Sequence, residues 1–286
     1  MRGACMEERL GPIAEAAALA GAAVLRAHAG GVQVDAWEGK RASDFVTFVD
    51  REAEQEVLRV IRAARPHDPV LAEEGTAGTL LAGAGTDAAR LATDHEGTLW
   101  VIDPLDGTTN FLHGYPMYAV SVAAVVDGEP VAGAVVDGAA GDAWCAERNR
   151  GATRNGAPLS VSSIDALAHA LIGTGFPFKT PGRIAEHFAA LRKVLERTSG
   201  ARRGGSAALD LCHVAAGYLD GFFELELAPW DIAAGVLLVR EAGGLVTDLA
   251  GRRPVTGAAG VLAGNPMVHR LLGSLVGGEA ASPGAS

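Results

Sequence analysis

Apolar positions recur along the chain with two periods, and the change between them divides it. From Glu8 to Ala29, Leu10, Ile13, Ala17 and Val24 fall near helical spacing, and Gly30-Gly31 follows where a helix should end. A second helix is expected over Asp50–Ala64, where Ala53, Val57, Val60, Ile61 and Ala64 share one face. Thr47 or Asp50 is placed to cap its start, and Pro66 sets its end. Pro69–Ala72 is a short apolar run that closes in Glu73-Glu74-Gly75. The stretch Thr76–Gly97 is rich in Gly, Ala and Thr, and reads as a surface excursion with one short helix near Asp87–Leu91.

Strand patterns take over next. Thr98–Ile102 reads as a buried strand that stops at Asp103-Pro104, because proline has no N–H for the ladder. Tyr118–Val126, Val131–Val136 and Ala143–Ala146 are separated by Asp127-Gly128 and Asp137-Gly138, and Asn155-Gly156 marks a further turn. That pattern predicts an antiparallel meander. Helices and strands then alternate. Helices are expected over Arg183–Arg197, Ser206–Gly217 with Ser206 as cap, Trp230–Ala242 and Pro266–Leu275. Strands are expected at Gly221–Leu225, Leu245–Asp248 and Gly260–Ala263. The reading is an α+β half over residues 8–160, an α/β half over 161–275, and a disordered tail over 276–286.

Composition narrows the function classes. Hydrophobic residues are 49% and charged residues 20%, so the chain is globular and not disordered. No apolar run reaches the ~18 residues of a membrane span. Glu7 and Glu8 near the start argue against a secretory signal. Cys5, Cys145 and Cys212 form no Cys-x-x-Cys pair, and the expected compartment is a reducing cytoplasm. A net charge of −10 argues against nucleic-acid binding but not against a small anionic substrate.

The chemistry concentrates in Trp100-Val-Ile-Asp103-Pro-Leu-Asp106-Gly-Thr-Thr-Asn110-Phe. Two carboxylates three residues apart around a turn can converge on one point. Gly107 permits close backbone approach, and the N–H groups at a helix start near Thr108 suit a phosphate. Carboxylates repel a phosphate unless a hard cation bridges them, so the pattern calls for Mg²⁺. Glu73-Glu74-Gly75 ends a strand, Asp231 lies in the first turn of an apolar helix, and Asp50 starts another. Each has an ordinary structural explanation alone, as a strand end, a charge offsetting the helix dipole, or a cap.

Together these motifs resemble the inositol monophosphatases, in the Mg²⁺-dependent, lithium-sensitive phosphatase superfamily. That family is similar in turn to fructose-1,6-bisphosphatases and nucleotide 3′-phosphatases. The matching runs are Asp103-Pro-Leu-Asp-Gly-Thr-Thr-Asn110-Phe, Pro229-Trp-Asp-Ile-Ala-Ala-Gly235, Glu73-Glu74-Gly75, Asp44-Phe-Val-Thr-Phe-Val-Asp50, Gly205-Ser-Ala-Ala208 and Asp220-Gly-Phe-Phe-Glu224, spanning roughly Glu8 to Leu272.

The resemblance implies a layered α-β-α-β-α sandwich, usually a homodimer, and a phosphomonoesterase acting on myo-inositol monophosphate. It implies that Glu73, Asp103 and the Leu105 carbonyl hold one Mg²⁺, that Asp103, Asp106 and Asp231 hold a second, and that a third ion can sit near Glu73. Asp50, Glu73 and Thr108 are the implied catalytic residues: the Thr108 hydroxyl, paired with Asp50, orients an attacking water, and hydrolysis proceeds directly, without a phosphoenzyme. Gly107 and Thr108 would bind phosphate oxygens through their N–H groups. Glu224 would accept substrate hydroxyls, with Gly205, Ser206 and Ala207 lining the same pocket. The run Asn110-Phe-Leu-His-Gly-Tyr-Pro116 favours the inositol phosphatases over the nucleotide phosphatases, while fructose 1,6-bisphosphate, histidinol phosphate and a nucleotide 3′-phosphate stay as alternatives that the metal site does not separate. A non-catalytic binding module is the remaining alternative, and the intact acidic set argues against it. The chain departs from the pattern in a long Gly75–Gly97 stretch. Arg202-Arg203 could face a second phosphate but is expected at the surface, and Cys212 and His213 in helical core.

Overall fold

Two helices open the structure, α1 (Leu10–His28) and α2 (Phe48–Ala64), lying side by side on one face of an eight-stranded sheet. The chain is seen here in a computed structural model that describes residues 10–30, 38–41, 44–75, 80–81, 86–178, 180–252 and 260–277. From edge to edge, the sheet runs β10 (Ala157–Pro158), β9 (Gly151–Arg154), β8 (Ala143–Glu147), β7 (Glu129–Asp137), β6 (Ala119–Val126), β5 (Thr98–Asp106), β3 (Val70–Ala72) and β4 (Leu80–Leu81). Strands β5 to β10 form the expected antiparallel meander, while β3 runs parallel to both β4 and β5. A separate ribbon pairs β1 (Glu38–Arg41) with β2 (Asp44–Val46). Two helices lie between the strands of this first half, α3 (Thr86–Asp94) and the short α4 (Thr108–Leu112).

The other face of the large sheet meets α6 (Ala207–Ala215) and α7 (Pro229–Glu241). Beyond them lies a five-stranded sheet in the order β12 (Gly200–Arg202), β11 (Leu171–Thr174), β13 (Gly221–Leu225), β15 (Gly260–Gly264), β14 (Leu245–Thr247). Its outer face carries α5 (Ile184–Leu195) and α8 (Pro266–Val276). This is the layered α-β-α-β-α sandwich. Its layers explain why β5 shows no polar alternation. Trp100 and Ile102 pack toward α1 and α2, Leu99 and Val101 pack toward α6 and α7, and both faces are buried.

Caps and glycines set the helices in place. Thr47 caps α2: its hydroxyl accepts the Val49 N–H at 3.1 Å, and Asp50 accepts the Thr47 N–H at 2.9 Å in return. By length and composition α1 alone among the described helices could cross a membrane. Here its Ala14, Ala17, Ala18 and Leu25 are fully buried in the core that α1 and α2 share with the sheet. A Cβ at Gly21 would stand 2.8 Å from Val57, so the glycine lets α1 and α2 approach.

Some expectations are corrected. β5 does not stop at Pro104. It continues to Asp106 through a register shift between Asp103 and Asp106, and the missing proline N–H falls inside that shift. α3 is longer than the Asp87–Leu91 helix expected there. β11 and β12, four and three residues long, were not anticipated, since such short strands carry no period. Cys5 and the Glu8-Arg9 start expected for the first helix lie outside the described residues, as do residues 76–79 and 82–85 of the long excursion and 278–286 of the tail.

The middle layer depends on one close approach. A Cβ at Gly235 of α7 would lie 2.6 Å from Leu211 of α6. Gly235→Val should therefore destabilise the protein by about 1–3 kcal/mol or more through overpacking. Denaturant unfolding monitored by circular dichroism reads the loss, and an unchanged midpoint would show that the two helices are not in contact through this residue.

Candidate active site

The two parallel strands place the first pair of acids. Ala72 of β3 sits opposite Ile102 of β5, and the Glu73 N–H donates to the Ile102 carbonyl at 3.4 Å. Glu73, just past the end of β3, and Asp103, within β5, therefore stand side by side. Across the other edge of β5, Asp103 pairs in register with Ser121 of β6. The Ser121 hydroxyl donates to the Trp230 carbonyl at 3.2 Å, which ties the first turn of α7 to the sheet and brings Asp231 beside Asp103. Asp106 closes β5 after the register shift. Carboxylate oxygens of Asp103, Asp106 and Asp231 lie within 4.8 Å of one another.

Each acid in this cluster is held by a donor. The Leu105 N–H donates to Asp103 at 2.9 Å. Asp106 accepts the Ser206 hydroxyl at 2.6 Å and the Ala208 N–H at 2.8 Å, so its carboxylate is fixed by the start of α6. Asp231 accepts the Ala228 N–H at 2.6 Å, the backbone group just ahead of its own helix. Asp103 is 1% exposed, and burial pushes its carboxyl well above the usual range. The neighbouring charges of Glu73, Asp106 and Asp231 push it further. An all-oxygen donor set under this repulsion fits a hard divalent cation.

Thr108 and Asp50 meet at the same place. The Thr108 hydroxyl lies 3.1 Å from the Leu105 carbonyl and 3.4 Å from Asp50 Oδ1. It has one proton and can donate to only one of them at a time. Burial raises the Asp50 carboxyl to about 6, against the lowering effect of the hydrogen bonds from Thr47. Gly107 begins α4 in the left-handed region with φ 90°, and a Cβ there would meet the Met117 carbonyl at 2.7 Å. The Asn110 amide donates to Met117 O at 2.6 Å and Gly204 O at 3.0 Å, locking α4 to the loop before α6.

The second sheet supplies the far wall. Glu224, near the end of β13, lies across Gly175, where a Cβ would fall 2.0 Å from its carboxylate. Burial and the charges of Asp210, Asp231 and Asp106 push its carboxyl well up, and Arg203 opposes them. One cleft of about 160 Å³ is lined by Glu73, Asp103, Leu105, Asp106, Gly107, Thr108, Gly205, Ala207, Glu224 and Asp231. Ser206 is not among them. It is 1% exposed, and its hydroxyl serves Asp106 and the Leu209 N–H, so it positions an acid where the sequence suggested substrate contact. Arg202 and Arg203 are both exposed, as expected, and Arg203 also borders the cleft.

Several contributors were missed from the sequence. Glu54 is fully buried and accepts the Glu74 N–H at 3.1 Å, holding the loop that carries Glu73. Its position one helical turn after Asp50 was the available signal. Ser121 and Gly175 act through contacts remote in sequence and left no such signal.

An acidic triad, buried at Asp103 and Asp106 and half-buried at Asp231, beside a glycine-started helix and facing Glu224, is the site of a metal-dependent hydrolase of phosphate esters. A family model described as the inositol monophosphatase family matches residues 6–278, and the chain belongs to that family. It is 43% identical over 235 residues to the Nus factor SuhB of Pseudomonas aeruginosa, covering 82% of this chain and 83% of the relative. It is 42% identical over 237 residues to an inositol-1-monophosphatase of Rhizobium meliloti, covering 83% and 84%. The crystal structure of extragenic suppressor protein suhB from Bartonella henselae superposes with a TM-score of 0.82 at 35% identity, covering 95% of this chain and 98% of that one.

Two outcomes follow from the electrostatics. The folded Asp50 carboxyl titrates at about 6 and the unfolded one near its ordinary 3.8, so the native state binds more protons between them. Its contribution to stability is present at low pH and lost as pH rises through about 6. In metal-free protein, the stability of Asp50→Asn relative to wild type should rise by about 3 kcal/mol between pH 3 and pH 7, most of it below pH 6. Guanidinium unfolding in EDTA measures this, and a flat difference would show that Asp50 is not titrating as a buried acid. For the anchoring of Asp106, Ser206→Ala should weaken Mg²⁺ binding about tenfold, as loss of one hydrogen bond to a charged group does. Calorimetric titration with Mg²⁺ reads it, and unaltered affinity would make Ser206 only a helix cap.

Proposed function

We propose that the protein is a Mg²⁺-dependent phosphomonoesterase that hydrolyses myo-inositol monophosphate to inositol and phosphate. The observation that carries this reading is the convergence of Asp103, Asp106 and Asp231 beside Glu73, Thr108 and Gly107 in one cleft that also contains Glu224. Glu73, Asp103 and the Leu105 carbonyl would hold one ion, Asp103, Asp106 and Asp231 a second, and Glu73 is placed to assist a third. Bound Mg²⁺ would offset the phosphate charge and make water a better nucleophile.

The chain's own groups do the rest. The N–H groups of Gly107 and Thr108 would hold phosphate oxygens and orient the ester for attack in line with its leaving oxygen. Asp50, at about 6, is basic enough to take a proton near neutral pH, and the Thr108 hydroxyl would relay it from the attacking water. Glu224 would accept hydrogen bonds from ring hydroxyls, which a polyol offers and a simple alkyl ester lacks. The Rhizobium relative's name supports inositol phosphate as the substrate. The Pseudomonas relative is named as a Nus factor, but the complete acidic set in this chain favours catalysis over a purely binding role. We also propose a homodimer in a reducing cytoplasm, where the thiols of Cys145 and Cys212 stay free.

Phosphate release with Mg²⁺, and with EDTA as control, tests the reading on inositol 1-phosphate, fructose 1,6-bisphosphate, histidinol phosphate and adenosine 3′,5′-bisphosphate. Inositol 1-phosphate should give the highest kcat/KM. Preference for another ester would keep the chemistry and replace the substrate, and no Mg²⁺-dependent turnover on any would end the phosphatase reading. Asp103→Asn should reduce activity by at least about a thousandfold while circular dichroism stays native. Substantial activity in that variant would remove Asp103 from the metal site.

A further inference from the structure

The buried face of α5 is made by His187, Leu191 and Val194 at helical spacing, so a histidine stands where the pattern calls for an apolar residue. Its ring is fully buried, and neither Nδ1 nor Nε2 has a hydrogen-bond partner among the described residues. Three phenylalanines enclose it. The ring stacks on Phe223 with centroids 5.6 Å apart and planes 21° apart, and it meets Phe176 and Phe188 edge to face at 5.5 and 5.8 Å. Phe188 is itself exposed, so the histidine lies one ring below the surface. Burial pulls the imidazole below its ordinary value, which keeps it neutral near pH 7.

This cluster stands directly behind the cleft wall. Thr174 and Phe223 are the last register pair of β11 and β13, and the Thr174 hydroxyl donates to the Phe223 carbonyl at 2.8 Å. Past that pair, β11 leads into Gly175, Phe176 and Phe178, which line the cleft, and β13 leads into Glu224, which lies across Gly175. His187 therefore touches the wall through both chains, at Phe176 and at Phe223. Charged groups on the surrounding elements are engaged elsewhere. On α5, Glu186 pairs with Arg183, which also reaches Glu226 beyond β13, and Arg192 and Lys193 are exposed. Glu224 turns to the cleft, and Arg203 lies over the Phe176 and Phe178 rings at 5.5 and 5.3 Å. On α8, His269 bonds the Thr247 hydroxyl and Arg270 is exposed. A proton on His187 would thus leave two N–H donors without an acceptor, against rings that offer only a cation–π attraction.

We propose that His187 is an acid-operated latch on the cleft: its neutral ring holds Phe176 and the segment through Phe178 against Phe223, and protonation releases that wall and weakens substrate binding without disturbing the acidic cluster. The consequence for substrate rests on the phosphatase reading, whereas the release of the wall does not. Phe178 follows Phe176, since the two rings meet edge to face with centroids 5.7 Å apart.

The test compares wild type with His187→Phe, which keeps a ring that cannot take up a proton, and His187→Leu, which keeps only apolar volume. A histidine neutral in the fold and titrating near 6.5 when unfolded binds its proton preferentially in the unfolded state, so it destabilises the fold as pH drops below about 6.5. Between pH 7 and pH 5 the folding equilibrium constant of wild type should fall about tenfold relative to either variant, read by guanidinium unfolding. Asp50 and the other shared groups cancel in that comparison, and so does any constant loss of stability in a variant. Hydrogen exchange over residues 173–178, corrected for its intrinsic pH dependence, should accelerate at pH 5 in wild type and in neither variant. With Mg²⁺ and inositol 1-phosphate, the wild-type KM should rise about threefold relative to His187→Phe between pH 7.5 and pH 5.5, while the kcat profiles overlay. Parallel unfolding profiles, unchanged exchange or coincident KM profiles would each overturn the proposal. The unfolding and exchange differences in a protein that hydrolyses no ester would refute the phosphatase reading and retain the latch.

Discussion

Like charges held together out of water are the constraint on which this structure turns. Oxygens of Asp103, Asp106 and Asp231 sit within 4.8 Å, and each ionised pair at that spacing costs about 3 kcal/mol at an effective dielectric of 20. No one element could carry that cost. Three separate parts of the chain share it, through the Leu105 N–H on β5, the Ser206 hydroxyl and Ala208 N–H at α6, and the Ala228 N–H ahead of α7. The sandwich is the device that brings these donors to one sheet edge. A cation bound there would couple to folding, because whatever neutralises the cluster also relieves the native state.

The carboxylates that form the cluster were legible because each stands where a local rule breaks. Asp103 ends an apolar run, Asp106 follows a proline turn, and Asp231 interrupts an apolar helix at its first turn. What holds them together was not legible. Ser121 is one small polar residue in a strand of alanines and valines, and its importance lies in a contact to Trp230, 109 positions on. Gly175 looks like any turn glycine until Glu224 is seen lying across it. Ser206 was recognised as a cap, and its second bond to Asp106 changed its role. Local pattern also misled at Pro104. A proline without an N–H should end a strand, yet a register shift absorbs the missing donor and lets β5 deliver Asp106 as well as Asp103.

The two sheets divide the work. The large sheet ends in Glu73, Asp103 and Asp106, and the small sheet supplies Glu224, with Phe176 and Phe178 on the segment after β11. Helices α6 and α7 lie between and present one residue set to each side. On the proposed reading, chemistry at the phosphate and recognition of the rest of the substrate would be built from different strands. The two parts are still coupled, since Asp106 and Asp231 both charge Glu224 through space.

Asp50 shows how closely structure and chemistry are joined. Its Oδ2 closes the capping box of α2 by accepting both the Thr47 N–H and the Thr47 hydroxyl, at 2.9 and 2.6 Å. Its Oδ1 faces Thr108 at 3.4 Å. An asparagine could accept the same backbone bond and keep the helix capped, but it could not take up a proton. The hydrogen bonds from Thr47 favour the charged form and burial disfavours it, and burial wins, leaving the group at about 6. A free helix cap would titrate near its ordinary value and be too weak a base near neutral pH. The same packing that orders the start of α2 therefore sets the basicity of the group beside Thr108. The helix cannot be repacked there without retuning the site.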